Sequence, residues 1–281
     1  MYPCSWTKSL LYLSRKAWLC DHGLRILLTQ TPHLWINRQV DVNRRIQTLR
    51  WLSQHHSPHQ RIEAITPKTL PRILVQKVYA QGNSVVELAC LSSHLKAVRI
   101  ASELGEPQAL ILEDDIRSHY LFDTDAIIAS APSDWEILQL NTSNAALINF
   151  NHRLRRQHRI LWQRWEQKSW STGAYLINRQ GMQKLMSRFL TGYPASSDLV
   201  NLKSVHRYGG LLADYVIYRF LNAYCCTFPL FIHDTALGST LHPEHIERTH
   251  QPAQRQIIDI YRTDAGNVPF AIRPLTSPER F

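Results

Sequence analysis

The clearest limit on how this chain folds comes from four apolar residues that run directly into three adjacent carboxylates. Residues 109–112 read Ala-Leu-Ile-Leu, and Glu113, Asp114 and Asp115 follow at once. A short, continuous apolar run is typical of a strand that is buried on both faces, as in a sheet covered by helices. Ligands of open α/β sheets bind beyond the carboxyl ends of the strands. The three acids are therefore predicted to border a ligand site.

Helical and extended patterns alternate along the rest of the chain. Residues 84–87, Ser-Val-Val-Glu, form a capping box that predicts a helix, and Gly105 is predicted to end it. Its apolar face consists of Leu88, Leu91, Leu95 and Val98. Further strands are predicted at residues 33–37, 135–140, 174–177 and 228–232, and further helices at 42–56, 179–191 and 211–221. This alternation predicts an α/β fold with a central sheet covered on both faces.

Two of these helices have a predicted cap and a predicted buried face. Asp41 is expected to cap the first, which would bury Val42, Ile46, Leu49 and Leu52. Asn178 is expected to cap the second, which would bury Met182, Leu185, Met186, Phe189 and Leu190. Residues 151–165 are dense in Arg, His and Trp without periodicity, and they predict a basic loop. The chain after Pro252 is polar and predicts a partly loose tail.

The composition sets the class of partner. The 281 residues include 32 Lys and Arg against 22 Asp and Glu, which gives a net charge of +10 and a pI near 9.6. Such a surface favours nucleic acid, anionic lipid headgroups, or phosphorylated sugars and nucleotides. The five cysteines have no zinc spacing, so we interpret them as reduced packing residues of a cytosolic protein. We divide the chain into an N-terminal extension (1–32), a main domain (33–250) and a C-terminal tail (251–281).

The N-terminal extension and the acidic cluster each allow two interpretations. The extension is too short in apolar residues to span a bilayer, so it is either a packed segment or a basic amphipathic helix on a membrane surface. Alternation along the strand places Glu113 and Asp115 on one side and Asp114 on the other. Two carboxylates with room for water suit Mg²⁺ or Mn²⁺, and the metal would in turn hold a diphosphate. Alternatively, the acids cap the next turn or pair with Arg117.

Several segments resemble glycosyltransferase family 25, which includes lipopolysaccharide-biosynthesis and collagen galactosyltransferases. The most specific pair is Glu-x-x-Cys-x-x-Ser-His at residues 87–94 and Leu-Ile-Leu-Glu-Asp-Asp at 110–115. Asn37 with Arg44 and Arg45 resembles the family's opening strand and basic helix. Residues 174–181 resemble its Ala-Tyr-Leu-Ile-x-x-x-Gly segment, and residues 229–240 resemble its closing block. The resemblance covers residues 33–242.

The resemblance implies a GT-A type fold and an inverting transfer of a hexose, galactose or glucose, from a UDP-sugar to a hydroxyl. Glu113 and Asp115 would bind Mn²⁺ or Mg²⁺, and His233 or His242 would complete the metal site. The implied nucleotide contacts are Asn37, Arg44, Arg45, His94, Glu113 and Asp114. Asp214 is favoured as the general base, with Asp198 as its rival. Arg44 and Arg45 could instead form a solvated basic face, and His94 could be a buried structural histidine.

Two departures from the family pattern concern the nucleotide contacts. Arg38 stands where the family has Leu, and Thr240 stands where it has Asp. The expected acceptor is a glycan or a glycolipid such as lipopolysaccharide, reached by a cytoplasmic protein at the inner membrane face. The alternative is a non-catalytic GT-A-like module that binds polyanions through its basic surface. No nucleic-acid-binding motif is present, so nucleic acid is not an expected partner. Metal-dependent binding of a UDP-sugar would separate the two functions.

Overall fold

The structure is a computed structural model, and it describes residues 31–55, 57–191, 200–208, 210–238, 244–264 and 266–275. The predictions for the N-terminal extension, Asp198, Ser239, Thr240 and His242 lie outside these residues. Among the described residues, no helix is both long enough and apolar enough to cross a membrane.

A seven-stranded mixed sheet forms the centre of the fold, with the strand order β2-β1-β3-β8-β6-β9-β7. Its strands are β1 (His33–Asn37), β2 (His59–Glu63), β3 (Gln108–Glu113), β6 (Ile137–Gln139), β7 (Trp162–Arg164), β8 (Ala174–Asn178) and β9 (Ala223–Cys226). Two small antiparallel pairs join β4 (Ile116–Arg117) to β10 (Ile232–His233) and β5 (Tyr120–Phe122) to β11 (Ala271–Pro274). This sheet, with helices on both faces, confirms the predicted α/β class.

Helices cover both faces of the sheet, and each face has its own apolar core. The helices are α1 (Val42–Leu52), α2 (Arg72–Ala80), α3 (Val85–Glu103), α4 (Thr124–Ala129), α5 (Ala145–His158), α6 (Arg179–Phe189), α7 (Leu202–Arg207), α8 (Ala213–Arg219) and α9 (Gln251–Thr263). One core contains the inner faces of α3, α6 and α8, and the other contains those of α5 and α9. Alternation along β3 sends Ile111 into the first core and Leu112 into the second, which is why the strand is apolar throughout.

The seam between β3 and β8 positions the acidic turn. β1, β2 and β3 run parallel to one another, whereas β8 pairs with β3 antiparallel. An antiparallel neighbour brings the residues that precede it beside the end of the first strand. The amide of Glu113 accordingly donates to the carbonyl of Gly173 at 2.9 Å. The loop before β8 therefore lies next to the acids after β3.

The predicted helix signals around α3 and α6 are confirmed. The Ser84 hydroxyl accepts from the amide of Glu87 at 3.3 Å, and Gly105 follows the helix with φ of +76°. The side-chain carbonyl of Asn178 accepts from the amide of Gly181 at 2.9 Å. Both predicted apolar faces are buried. These signals are local in sequence, so they survive in the folded chain.

The predicted buried face of α1 is wrong at three of its four positions, and Leu52 is the one that is buried as predicted. Val42, Ile46 and Leu49 are 45%, 43% and 39% exposed, whereas Arg44 and Leu52 are buried. Asp41 precedes the helix without capping it through its side chain. Its carboxylate accepts instead from Arg38 at 2.6 Å. The attraction between Arg44 and the acidic turn sets the rotation of the helix about its axis. The spacing of the apolar residues gives no indication of this attraction.

Three other segments also differ from the sequence predictions. The expected basic loop at 151–165 holds most of α5 and the edge strand β7. The expected strand at 228–232 is reduced to β10, and β9, immediately before it, was not predicted. The expected loose tail is wrong for residues 251–263, which form α9 and bury Ala253, Ile257, Ile260 and Tyr261. The domain boundary drawn at residue 250 stays a prediction, and the segment after it shares the core of the sheet.

Candidate active site

The three acids form the turn between β3 and β4, and their side chains diverge. Glu113 and Asp115 line a cavity of about 440 Å³ beside the loop that precedes β8. Asp114 points instead towards β1 and α1, where it is 8% exposed. The predicted division, with Asp114 on the other side from Glu113 and Asp115, agrees with this arrangement.

Asp114 is held by two of the predicted nucleotide contacts. One carboxylate oxygen accepts from Asn37 Nδ2 at 2.6 Å and the other from Arg44 Nη1 at 2.8 Å. Burial and the neighbouring charge of Asp115 raise the pKa of Asp114 to about 6, although Arg44 and Asn37 oppose the shift. Asp114 thus anchors the turn from the side of α1, and it lines the smaller cavity described below but not the cavity of 440 Å³.

Arg44 is the cation that compensates this turn. Its guanidinium reaches Asp115 Oδ2 at 3.4 Å in addition to Asp114, and it donates to the carbonyls of Leu237 and Gly238. Burial opposes its charge, but the two aspartates outweigh burial and raise the pKa of Arg44. Arg45 lies on the outer side of the helix, where its one hydrogen-bond partner among the described residues is the carbonyl of Gln39, at 3.5 Å. The structure therefore brings Arg44, but not Arg45, to the acids.

Two side chains contact the carboxylate of Glu113: His94, which the family resemblance implied, and Thr172, which the sequence analysis did not identify. Its Oε1 accepts from Thr172 Oγ1 at 2.8 Å, and His94 Nε2 lies 3.4 Å from the same oxygen. His94 is buried, and its Nδ1 lies 3.2 Å from the Tyr175 hydroxyl. Burial opposes ionisation of Glu113, but the hydrogen bond and charge of His94 hold its pKa below the usual value. Glu113 is therefore ionised near neutral pH.

Asp115 has one carboxylate oxygen that is buried without a hydrogen-bond partner among the described residues, namely Oδ1. His233 Nδ1 lies 3.7 Å from this oxygen. Burial opposes ionisation of Asp115 too, but His233 and Arg44 outweigh it and hold the pKa below the usual value. Apart from the nearby His233, Oδ1 of Asp115 thus has no partner among the described residues, and a buried oxygen of this kind points to a ligand.

Two cavities border both Glu113 and Asp115, and a third, of about 220 Å³, borders Asp114 and Asp115 on the side of α1. The smaller, of about 160 Å³, lies at the end of β1 and is lined by Asn37, Arg44 and His94 together with residues 64–67. The larger, of about 440 Å³, is lined by residues 170–172, 212–215 and 245–250 in part. Cys90, Glu113 and Asp115 line both. A ligand that occupied both cavities would therefore bend around Glu113 and Asp115.

Asp214, the favoured general base, lies in the first turn of α8 and lines the larger cavity. Its Oδ1 accepts from the amide of Tyr215 at 3.0 Å. Burial raises the pKa of Asp214, and backbone hydrogen bonds from Tyr215 and Ser171 only reduce the shift. A carboxylate with a raised pKa is a stronger base than a solvated one.

Several residues of this cavity lack any signal in the sequence. The hydroxyl of Ser171 bonds Asn141 and lies 3.3 Å from His233 Nε2, and the φ of Ser171 is +121°. Backbone strain of this kind in a residue other than glycine concentrates at functional sites. The ring of His250 lies 4.5 Å from that of His233, and burial lowers its pKa to about 4. Neither residue belongs to a recognisable motif, and only the fold brings them together.

Comparison with known proteins identifies the family. The family model for glycosyltransferase family 25, described as LPS biosynthesis protein, matches residues 31–200. The chain belongs to this family. It is therefore a glycosyltransferase, which uses a sugar donor and a glycan acceptor. The matched range contains Asn37, Glu113 and Asp115, whereas Asp214 and His233 lie beyond it.

Solved structures of glycosyltransferases show only distant likeness to this member of the family. One is described as a glycosyltransferase involved in the glycosylation of the major capsid of PBCV-1. It has a TM-score of 0.37 and 12% identity over 78% of this chain and 92% of that chain. Another is mouse xyloside xylosyltransferase 1 in its apo form, with a TM-score of 0.30 and 10% identity over 80% of this chain and 84% of that chain. Both scores are too low to transfer any detail of a site. No curated protein matches the sequence.

The residues at the acidic turn fit a metal ion that the protein holds in part and a bound diphosphate holds in part. The described residues contain no group of three ligating side chains that could hold a metal ion by themselves. Mg²⁺ and similar ions are, however, commonly held by one or two carboxylates together with substrate phosphates and water. The ionised Asp115 with its unsatisfied Oδ1, next to Glu113, supplies that smaller set. These acids therefore suit a metal that arrives with a diphosphate.

Proposed function

We propose that this glycosyltransferase is metal-dependent and inverting, and that it transfers a hexose, galactose or glucose, from a UDP-sugar to a hydroxyl of a glycolipid such as lipopolysaccharide. The observation that carries the proposal is the position of Glu113 and Asp115, ionised and facing the junction of two cavities. One cavity suits the nucleotide and the other suits the acceptor, so the sugar would pass between them at the acids.

The donor would occupy the smaller cavity with its diphosphate near Asp115. Asn37 and Arg44 position the turn by bonding Asp114, and His94 and Thr172 position Glu113. Mn²⁺ or Mg²⁺, held by Glu113 and Asp115 with His233 beside them, would offset the charge that develops on the leaving diphosphate. The remaining work of the chain is to keep the two carboxylates ionised and oriented.

The acceptor would enter the larger cavity and present a hydroxyl to Asp214. This carboxylate removes the hydroxyl proton as the oxygen attacks the anomeric carbon of the donor, and the bond to the diphosphate breaks. Since attack and departure occur on opposite faces of that carbon, the configuration inverts and no covalent enzyme intermediate forms. The raised pKa of Asp214 supports its role as the base.

The excess of positive charge supports a membrane-associated acceptor. The outer face of α1 combines the half-exposed Ile46 and Leu49 with Arg45 and Arg50, and the helix has no acidic residue. Such a face suits a peripheral contact with anionic lipid. The cytoplasmic location at the inner membrane face stays a prediction from the sequence.

The decisive experiment is calorimetric titration of UDP with and without Mn²⁺. The wild type should bind UDP with Mn²⁺, and removal of the metal with a chelator should weaken binding by at least about tenfold. Asp115→Asn should bind UDP weakly in either condition. Asp134→Asn is the matched control, because Asp134 lies at the surface and is paired with Arg164.

Two results would count against the proposal. Equal binding of UDP with and without Mn²⁺ would remove the metal from it. Unchanged binding by Asp115→Asn would show that the acidic turn serves the structure alone.

A further inference from the structure

The larger cavity has an electrical character opposite to that of the protein as a whole. The chain carries a net charge of +10, yet Glu87, Glu113, Asp115 and Asp214 all line this cavity. Among the described residues that line it, none is a lysine or an arginine. The acceptor side of the site is therefore acidic within a basic molecule.

From this contrast we propose that the larger cavity binds an uncharged sugar ring of the acceptor, stacked on Trp170. The inference rests on the proposed function and adds the chemical class of the acceptor sugar. An anionic ring, phosphorylated or carboxylated, would meet like charge at short range, which strongly disfavours binding. Glu113 and Asp115 belong to the donor side, but Glu87 and Asp214 remain on the acceptor side to exclude anions.

Trp170 is displayed by a loop whose backbone is fixed. Gln139 Nε2 donates to the carbonyls of Ser169 and Ser171 at 2.9 and 2.8 Å. The Tyr218 hydroxyl donates to the carbonyl of Ser171 at 3.0 Å, and Trp170 itself accepts at its carbonyl from the amide of Ser143 at 3.1 Å. The indole is nevertheless 44% exposed and lines the cavity. A large aromatic side chain held at the edge of a polar cavity provides a flat face for a sugar ring.

Other residues that line the cavity offer polar groups without a fixed positive charge. His250 Nδ1 is buried and has no hydrogen-bond partner among the described residues. Thr249 lines the cavity as well. Such groups suit hydroxyls, which both donate and accept. The cavity therefore combines a stacking face, hydroxyl partners and an acidic border, the set expected for a neutral sugar.

The test is a binding panel of methyl glycosides in the presence of UDP and Mn²⁺, measured by saturation-transfer NMR. The probes are methyl galactoside and methyl glucoside, their 6-phosphates, and the corresponding methyl uronides. The neutral glycosides should bind at least about tenfold more tightly than the anionic ones, because the acidic wall repels the latter. UDP binding, measured separately, reports on the donor site.

Two variants assign the effect to named residues. Trp170→Ala should abolish detectable binding of the neutral glycosides, and Trp170→Phe should restore part of it, whereas both variants should bind UDP as the wild type does. Glu87→Gln removes one negative charge without changing the shape of the side chain. It should reduce the ratio of the affinity for neutral glycosides to the affinity for anionic glycosides severalfold.

Three outcomes would count against these proposals, two of them against the inference and one against the proposed function. Binding of the anionic glycosides as tight as that of the neutral ones would refute the inference. The same holds if no glycoside binds while UDP does, since the cavity would then not hold a sugar ring. Loss of UDP binding in the wild type would instead count against the proposed function.

Discussion

At the scale of single residues, Arg44 shows how one side chain can serve two regions. It neutralises Asp114 and Asp115 and also bonds the carbonyls at Leu237 and Gly238. The family resemblance implied a nucleotide contact for Arg44, and the alternative was a solvated basic face. The fold buries Arg44 against the acids, which excludes the solvated face, and the nucleotide contact stays a prediction. A buried cation of this kind is a necessity of the acidic turn, since two adjacent carboxylates could not otherwise stay ionised.

Replacement of Arg44 by methionine should therefore lower the free energy of unfolding by about 3–5 kcal/mol, because it leaves buried carboxylates unpaired. Urea denaturation at neutral pH measures this. Arg45→Met is the matched control on the same helix, and it should change stability by less than about 0.5 kcal/mol. Similar losses in the two variants would contradict the central position of Arg44.

Asp214 permits a prediction about pH. In its proposed role as the base, Asp214 would act in its ionised form, and burial raises its pKa. The kcat should therefore fall on acidification at a pH above that of an ordinary aspartate, near 3.9. Asp214→Asn should reduce kcat by about 100- to 10,000-fold while UDP binding is unchanged. The measurement is kcat against pH at saturating substrates.

Stability gives a control for this variant. A group whose pKa is higher in the folded than in the unfolded protein stabilises the fold at pH values below its unfolded-state pKa. This stabilisation is lost as the pH rises through the folded-state pKa. At pH 7 Asp214→Asn should thus be no less stable than the wild type. A large loss of stability would indicate that Asp214 is structural and would undermine its role as the base.

At the scale of elements, α1 shows that apolar residues at helical spacing need not be buried. Its exposed stripe of Val42, Ile46 and Leu49 has the spacing expected of a buried face, whereas Thr48 and Leu52 face inward beside Arg44. Thr48 Oγ1 donates to the carbonyl of Asp114 at 3.2 Å. The orientation of the helix is therefore determined by polar contacts with the turn after β3.

Truncation of one leucine on each face tests this orientation. Leu52→Ala should cost about 2–5 kcal/mol in the free energy of unfolding, since the residue is buried. Leu49→Ala should cost less than about 1 kcal/mol, because the side chain is 39% exposed. Thermal or urea unfolding of the two variants gives the comparison. Similar losses in the two variants would show that α1 lies as the periodicity predicted, because that pattern places both leucines on the buried face.

At the scale of the whole molecule, α9 completes the second core. Tyr261 donates to the carbonyl of Pro229 at 2.6 Å, and Asp264, directly after the helix, is paired with His152 and Arg155 at 3.0 and 3.2 Å. The polar composition of this segment predicted a loose tail. Its four buried side chains are spaced along a single stripe, and the many polar residues between them obscured the pattern.

We expect Ile257→Ala to destabilise the protein by about 2–5 kcal/mol, since it removes a buried side chain of α9. Asp259→Ala, on the exposed side of the same helix, should change the free energy of unfolding by less than about 0.5 kcal/mol. Urea denaturation distinguishes the two. Equal stability of both variants would mean that α9 is dispensable to the core.

The parts of the fold that could be predicted from the sequence are those whose signals lie within a few residues of one another in the chain. Ser84 and Asn178 are caps, and β3 and β8 are uninterrupted apolar runs. The parts that it missed depend on distant partners. Thr172 bonds Glu113 because β8 runs antiparallel to β3, 59 residues away in the chain. No local pattern contains that information, so Thr172, Ser171 and His250 emerge only from the structure.

The two cavities have largely separate origins in the chain. The smaller is built from residues 36–67 and the first turns of α3, whereas the larger draws on residues 170–172, 212–215 and 245–250. Glu113, Asp115 and Cys90 are shared. Under the proposed assignment of the two cavities, exchange of the second set of segments between related enzymes would change the acceptor while the donor is kept. The part of the fold proposed to bind the nucleotide would then stay constant, and the part proposed to bind the glycan would be the replaceable one.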